Sequence, residues 1–196
     1  MTSSSSSIFE RGLDTMLVVY SSLTRHPAAT DCEQFIRSRT GWFTTSLSLL
    51  EAKAILTKVY GVEAALVTDK LAQLTEGLVT VAAVSVETTL AAMKLADKHR
   101  LDLTDAVLLS CALMHQSTEI ATDDQQFAQV CRQLGLIVEN PIIDSLRQQM
   151  AQWEANNLPA KGLPRILHHF HRWLSRNHPQ AADDFWSQTG NGSHMP

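Results

Sequence analysis

Short apolar runs alternate along the chain with stretches of helical spacing. Met16-Leu17-Val18-Val19-Tyr20 is a continuous apolar run behind a lone Asp14, and Gly12 to Tyr20 is predicted to hold the first strand. Asp31 to Arg39 reads as a short mixed helix. Trp42 to Ser46, aromatic and β-branched, predicts a second strand. From Leu47 to Tyr60 the apolar residues Leu49, Leu50, Ala54, Ile55 and Val59 share one side of a helix. Gly61 breaks it, and a further helix runs from Val62 to Thr75, ahead of Gly77. Leu78 to Val84 reads as a buried strand. Ser85 then suits an N-cap, with Glu87 in the first turn of a helix reaching Lys98. Thr104 is the expected cap of a strongly apolar helix, Asp105 to His115. A short strand at Thr118 to Ala121, a helix at Asp123 to Leu134 stopped by Gly135, and a last strand at Leu136 to Val138 complete the series.

Strand followed by helix, repeated about five times, predicts a parallel sheet covered on both faces. The expected fold class is therefore α/β, three layers (α/β/α) around a central parallel sheet of about five strands. The pattern changes at Pro141. Beyond it only helices are predicted: Ile142 to Asn156, Leu163 to Arg176, and Ala181 to Ser187. The expected organisation is a disordered serine-rich leader over 1–7, one domain over 8–141, and a helical C-terminal extension over 142–196.

Composition narrows the classes. With 196 residues, 44% of them hydrophobic, the chain can bury a sizeable core. Its most apolar stretches, Leu78 to Val86 and Ala106 to Met114, fall short of the roughly 18 residues a membrane span needs. Cys32, Cys111 and Cys131 are scattered, without a CxxC pair, so they are expected as small buried hydrophobes in a reducing compartment. The N-terminus has no basic start or apolar core of a secretory signal, and a cytoplasmic location is expected. A net charge of −4 excludes a uniformly basic coat for nucleic acid. The charge is uneven: residues 1–140 carry 11 Lys/Arg against 16 Asp/Glu, and residues 141–196 carry 5 against 4.

Most of the acids, such as Glu63, Asp69, Glu76, Asp97 and Glu119, fall on predicted solvent faces or element ends. Four sit differently. Asp14 adjoins the first apolar run, Glu51 lies within a helix behind Leu49-Leu50, Asp105 precedes Ala106-Val107-Leu108-Leu109, and Asp124 opens a helix after a strand. In a parallel sheet the carboxyl ends of the strands and the following helix starts form one rim, where ligands bind. Carboxylates converging there need a compensating cation, and oxygen ligands suit Mg²⁺ or Mn²⁺. Such an ion activates water and stabilises displacement at phosphorus. Helix capping alone would also account for Asp105 and Asp124.

Four segments together resemble the PIN-domain family of metal-dependent ribonucleases. They are Gly12-Leu13-Asp14-Thr15-Met16-Leu17-Val18, Thr44 to Ala52 with Glu51 near its end, Leu101 to Ala112 with Asp105-Ala106, and Ile120-Ala121-Thr122-Asp123-Asp124-Gln125-Gln126-Phe127. Gly135-Leu136 and Asn140-Pro141 follow in the family's order, so the resemblance covers about residues 8–141. It implies that Asp14, Glu51, Asp105 and Asp124 are an acidic quartet holding Mg²⁺ or Mn²⁺, with Asp123 an auxiliary ligand or an N-cap. It also implies that Thr15 and Thr122 steady the acids by hydrogen bonding. Met16 departs from the family, which often has Asn or Ser there and so a further polar support. The implied activity is endoribonucleolytic hydrolysis of RNA phosphodiesters. The family's bacterial toxins imply an antitoxin protein and a homodimer as partners.

The tail goes beyond that resemblance. On the helix Leu163 to Arg176, Arg165, His169, Arg172 and Arg176 form one stripe, opposite Leu163, Ile166, Leu167, Phe170 and Leu174. No Asp or Glu occurs between Glu154 and Asp183. The basic stripe is either a solvated face or a track that steers RNA phosphate toward the acidic rim. His168 and His171 share a face but have no acidic or thiol neighbour, so a surface or RNA-facing role is expected of them. Trp153, Trp173 and Trp186 are expected to pack the tail against the domain or a second subunit. A non-catalytic PIN scaffold that binds RNA or a partner protein is the alternative function. A receiver-type or dehalogenase-type phosphotransfer domain shares the strand–helix rhythm, but the dehalogenase type would need Asp-x-Asp where the chain has Asp14-Thr15-Met16.

Overall fold

The computed structural model describes residues 9–159 and 163–188, without the side chains of Leu163, Pro164, Arg165, Trp186 and Gln188. The expected leader over 1–7 lies outside the described residues. Five strands form one parallel sheet: β1 (Arg11–Leu13), β2 (Trp42–Thr45), β3 (Val79–Ala82), β4 (Glu119–Ala121) and β5 (Ile137–Glu139). Their order is β3-β2-β1-β4-β5, which puts β1 at the centre.

The helices are α1 (Thr15–Ser22), α2 (Ala29–Arg37), α3 (Ser46–Lys58), α4 (Ala64–Gly77), α5 (Val86–His99), α6 (Leu103–Met114), α7 (Gln125–Gln133), α8 (Asp144–Asn157), α9 (Leu163–Asn177) and α10 (Pro179–Gln188). They cover both sheet faces. One buried cluster joins Leu13, Trp42, Val79 and Ala121 of the sheet to α1–α4. The other joins Phe43, Ala82 and Ile120 to α5, α6 and α7. Adjacent residues of one strand, Trp42 and Phe43, enter opposite clusters, as the two-residue period of a strand requires. The fold is the expected three-layer α/β architecture.

Gly12 shows how tightly the central strand is held. It stands in register with Phe43 on one side and Ile120 on the other. A Cβ there would overlap Ile120 Cδ1 and touch Phe43 and Leu108 at 3.4 and 3.5 Å. Glycine therefore lets three large side chains meet over the middle of the sheet.

The run Met16 to Tyr20 is not a strand. It lies in α1, and β1 is the short segment before it. Leu17, Val18, Val19 and Tyr20 are all buried, so the helix has no polar face to reveal its period. Asp14 is accordingly at the end of β1 and at the start of α1. A second correction concerns α6: Asp102, not Thr104, is its cap, and its carboxylate accepts the Thr104 N–H at 3.0 Å. The predicted caps Ser85 and Asp124 do accept their helices' amides, from Thr88 and Phe127.

Past Pro141, α8 adds Leu146 and Met150 to the first core cluster. Trp153 meets the ring of His26 edge-on at 5.0 Å, and the Tyr60 hydroxyl bonds Glu154 at 3.3 Å. No helix among the described residues is long and apolar enough to cross a membrane. All three cysteines are free and buried.

Candidate active site

Two strand-to-helix junctions and two helices bring the acids toward each other. Asp14 ends β1, where its N–H still extends the ladder by bonding the Ala121 carbonyl at 3.0 Å. Asp124 follows the neighbouring β4 and caps α7, accepting the Phe127 N–H at 2.7 Å. Asp105 lies in the first turn of α6, and Glu51 in the middle of α3. Two threonines of β2 set the approach of α3. Thr44 Oγ1 bonds the Leu13 carbonyl at 3.0 Å, and Thr45 caps α3 by accepting the Ser48 N–H at 3.0 Å.

Thr122 ties Asp14 to the Asp124 loop. Its hydroxyl donates to Asp14 Oδ2 at 2.7 Å and accepts the Asp124 N–H at 3.0 Å. The resemblance gave Thr122 this steadying role. Thr15 is buried, but its hydroxyl makes no bond to an acid among the described residues. Met16 contributes its backbone, which hydrogen-bonds Asp14, while its side chain packs against the first core cluster.

The electrostatics are those of crowded, desolvated carboxylates. Burial pushes Asp14 up from 3.8 to about 6, against the lowering effect of the Thr122 and Met16 bonds, with Asp123 and Glu51 adding repulsion. Asp105 is pushed up from 3.8 to about 8, first by desolvation and then by the charges of Asp14, Asp124, Asp102 and Glu51. Asp105 thus feels the charges of the other three predicted acids, and Asp14 feels that of Glu51. Among the described residues, however, no three His, Cys, Asp or Glu side chains are gathered into a ready-made metal cage.

Asp123 differs from its neighbours by having a cation. Arg147, from α8, reaches its Oδ1 at 3.3 Å and its carbonyl at 3.4 Å. Burial still raises Asp123, and Arg147 opposes the rise. Sequence reasoning missed Arg147. A lone arginine on an amphipathic helix has no spacing to mark it, and only the packing of α8 brings it here.

The predicted basic stripe of α9 divides. Arg176 is exposed, whereas His169 and Arg172 are half-buried. Arg172 lies so close over Gly61 that a Cβ there would overlap the guanidinium, and its Nη2 meets His168 Nε2 at 3.0 Å. The Arg165 side chain lies outside the described residues. Ile166, at 64% exposure, and Phe170, at 44%, face solvent although both belong to the predicted apolar stripe.

The family model for the PIN domain matches residues 13–133, more than half of the chain. The chain belongs to the PIN-domain family. The match takes in all four predicted acids and ends before α8, so Arg147 comes from outside the matched PIN segment. Among solved structures, this PIN-domain protein is similar to VapC20 of Mycobacterium tuberculosis, a sarcin-ricin loop cleaving toxin. That likeness has 14% identity and a TM-score of 0.55, covering 61% of this chain and 94% of that one. It is also similar to a chain of a toxin–antitoxin complex from Klebsiella pneumoniae, with 16% identity, a TM-score of 0.49, and 67% and 97% coverage. At these identities the likeness concerns the fold. Among curated proteins, no sequence is significantly similar to this one.

Proposed function

We propose that this PIN-domain protein is a metal-dependent endoribonuclease that uses Asp14, Glu51, Asp105 and Asp124. The observation that carries the reading is the state of Asp105. A carboxyl raised to about 8 by burial and by four surrounding acids lacks a cation that its own chain does not provide. The donor set is all carboxylate oxygen, which fits Mg²⁺ or Mn²⁺ rather than a softer ion. The four acids would hold the ion, with Asp123 kept apart by Arg147. A bound ion supplies positive charge and a lowered pKa for an attacking water. The chain's own part is to fix the donors: Thr122 holds Asp14 and the Asp124 loop together, and Thr45 fixes the start of α3.

RNA as substrate and a toxin role are supported by family membership and by the likeness to VapC20; an antitoxin partner, a homodimer and a cytoplasmic location are proposed together with that role. RNA phosphate steering by α9 rests on Arg176, with Arg165 as a further candidate, since His169 and Arg172 are half-buried. A scaffold that binds RNA without cutting it is the second reading. The absence of a closed acidic cage among the described residues favours it.

Cleavage of a mixed RNA panel with Mg²⁺ or Mn²⁺ decides between the two readings. Wild type is expected to cut, and Asp105→Asn to lose at least about a hundredfold in rate. Equal activity of the two proteins, or none in either, would overturn the nuclease reading.

A further inference from the structure

Beside the acids, between α7 and the end of β5, lies an open groove of about 410 Å³. Thr122 and Asp124 line its near end, so it is continuous with the acidic rim. Its helical wall is built from Gln125, Gln129 and Arg132, spaced i, i+4 and i+7 on one face of α7. The small Ala128 lies between them and leaves the groove open. At ~1.5 Å rise per residue, Arg132 stands ~12 Å along the helix from Asp124.

The side chains of this wall are uncommitted. Gln125, Gln129 and Arg132 have no side-chain hydrogen bond or ion pair among the described residues, and all three are exposed. Their neighbour Gln126, by contrast, is used to bond the Arg100 carbonyl at 2.8 Å. Across the groove, Asn140 spends its Oδ1 on the Ile142 N–H at 2.8 Å. That bond fixes its orientation and leaves the amide hydrogens as donors.

From this arrangement we propose that the groove is a nucleotide subsite for single-stranded RNA, next to the scissile phosphate. The inference rests on the nuclease reading above for its substrate class. A backbone phosphate is held at the Arg132 end, away from the carboxylates. The amides of Gln125, Gln129 and Asn140 meet the sugar and base edge between the two charged ends. Neutral amides of this kind read base edges that an unpaired strand exposes. A duplex stacked on itself would not present those edges in a groove of this size.

The test is the binding of a labelled single-stranded RNA pool, followed by fluorescence anisotropy across a salt series without divalent ions. Wild type is compared with the Gln125→Ala/Gln129→Ala/Arg132→Ala variant and with Arg132→Lys. The triple variant is expected to bind about tenfold more weakly, with a salt slope reduced by about one. Arg132→Lys is expected to keep the wild-type slope. Thermal unfolding of the variants verifies that they are folded, and all three positions are exposed. The same Kd and slope in wild type and triple variant, or no binding by wild type, would overturn the inference. This readout needs no cleavage, so an inactive Asp105 site and an unused groove give different results.

Discussion

Glu119 stands at the start of β4 and Asp14 at the end of β1, on neighbouring strands of one sheet, yet their surroundings are opposite. Glu119 is met by Arg11 at 2.9 Å and by Arg39 at 3.6 Å, and Arg39 also takes Glu139 at 2.6 Å. Arg11 in turn holds Glu10 at 2.9 Å. This is a closed network in which the chain neutralises its own acids. At the other rim Asp14 and Asp105 have no arginine or lysine partner among the described residues, and burial and mutual repulsion push them to about 6 and about 8. Acids that stabilise the fold bring their counter-charges with them. Acids left without one are held by the rest of the fold at a cost in stability, and the proposed cation site rests on that difference.

The largest consequence is a pH dependence of unusual sign. Between the unfolded value of 3.8 and folded values of about 6 and about 8, the native metal-free protein keeps protons that the unfolded chain has released. Its stability therefore falls as pH rises through that window. For Asp14 alone the shift corresponds to a loss on the order of 3 kcal/mol. Denaturant unfolding with chelator at several pH values measures it, and a metal-free protein that gains stability from about pH 4 to pH 8 contradicts it. Adding Mg²⁺ or Mn²⁺ should restore more stability at about pH 8 than at about pH 5, since protonated acids do not bind the ion.

Next in size are two isosteric substitutions with opposite signs. Glu119→Gln weakens two ion pairs at a side chain only 16% exposed and should destabilise by about 1–3 kcal/mol. Asp105→Asn removes a repelled charge. Near pH 9 it should raise metal-free stability by about 1–2 kcal/mol while abolishing the response to metal. If both substitutions destabilise alike, the two rims do not differ in the way described.

How much of this could be read from the chain depended on whether the signal was local. The strand–helix rhythm predicted the parallel sheet. The acids at its carboxyl rim were legible because Asp105 and Asp124 sit at helix starts, which local pattern marks well. Asp14 was found, but at the wrong element boundary: α1 is buried on all sides, and an apolar run without a polar face does not distinguish helix from strand. The stripes of α9 were visible as periodicity. Their orientation was not, because Gly61, more than a hundred residues away, provides the notch in which Arg172 sits. Arg147 was illegible for the same reason.

Arg147 is also where the two rims come closest in character, since it gives one acid of the carboxyl-terminal rim a cation. Arg147→Ala should cost about 1 kcal/mol, because the contact at 3.3 Å is long and the arginine is 38% exposed. With its opposing charge gone, Asp123 rises further, so the decline of metal-free stability with pH should steepen. Arg147→Lys should keep most of the original slope. An unchanged slope in Arg147→Ala would show that Asp123 is not electrostatically part of the rim.

The smallest effect is expected on α2, where Arg37 and Glu33 pair at 2.9 Å with side chains 60% and 53% exposed. Their bond is as short as the one between Arg11 and Glu119, so the two pairs differ mainly in burial. Water competes for both partners of the exposed pair, and ordering two long side chains offsets much of the attraction. Arg37→Ala should therefore cost only about 0.3–0.5 kcal/mol, and less still at high salt. Measured beside Glu119→Gln, it separates distance from burial as the source of the network's strength. A loss on α2 as large as that at Glu119 would mean that any carboxylate with an arginine beside it is stabilised alike. Burial would then no longer explain why the unpaired acids of the opposite rim are costly.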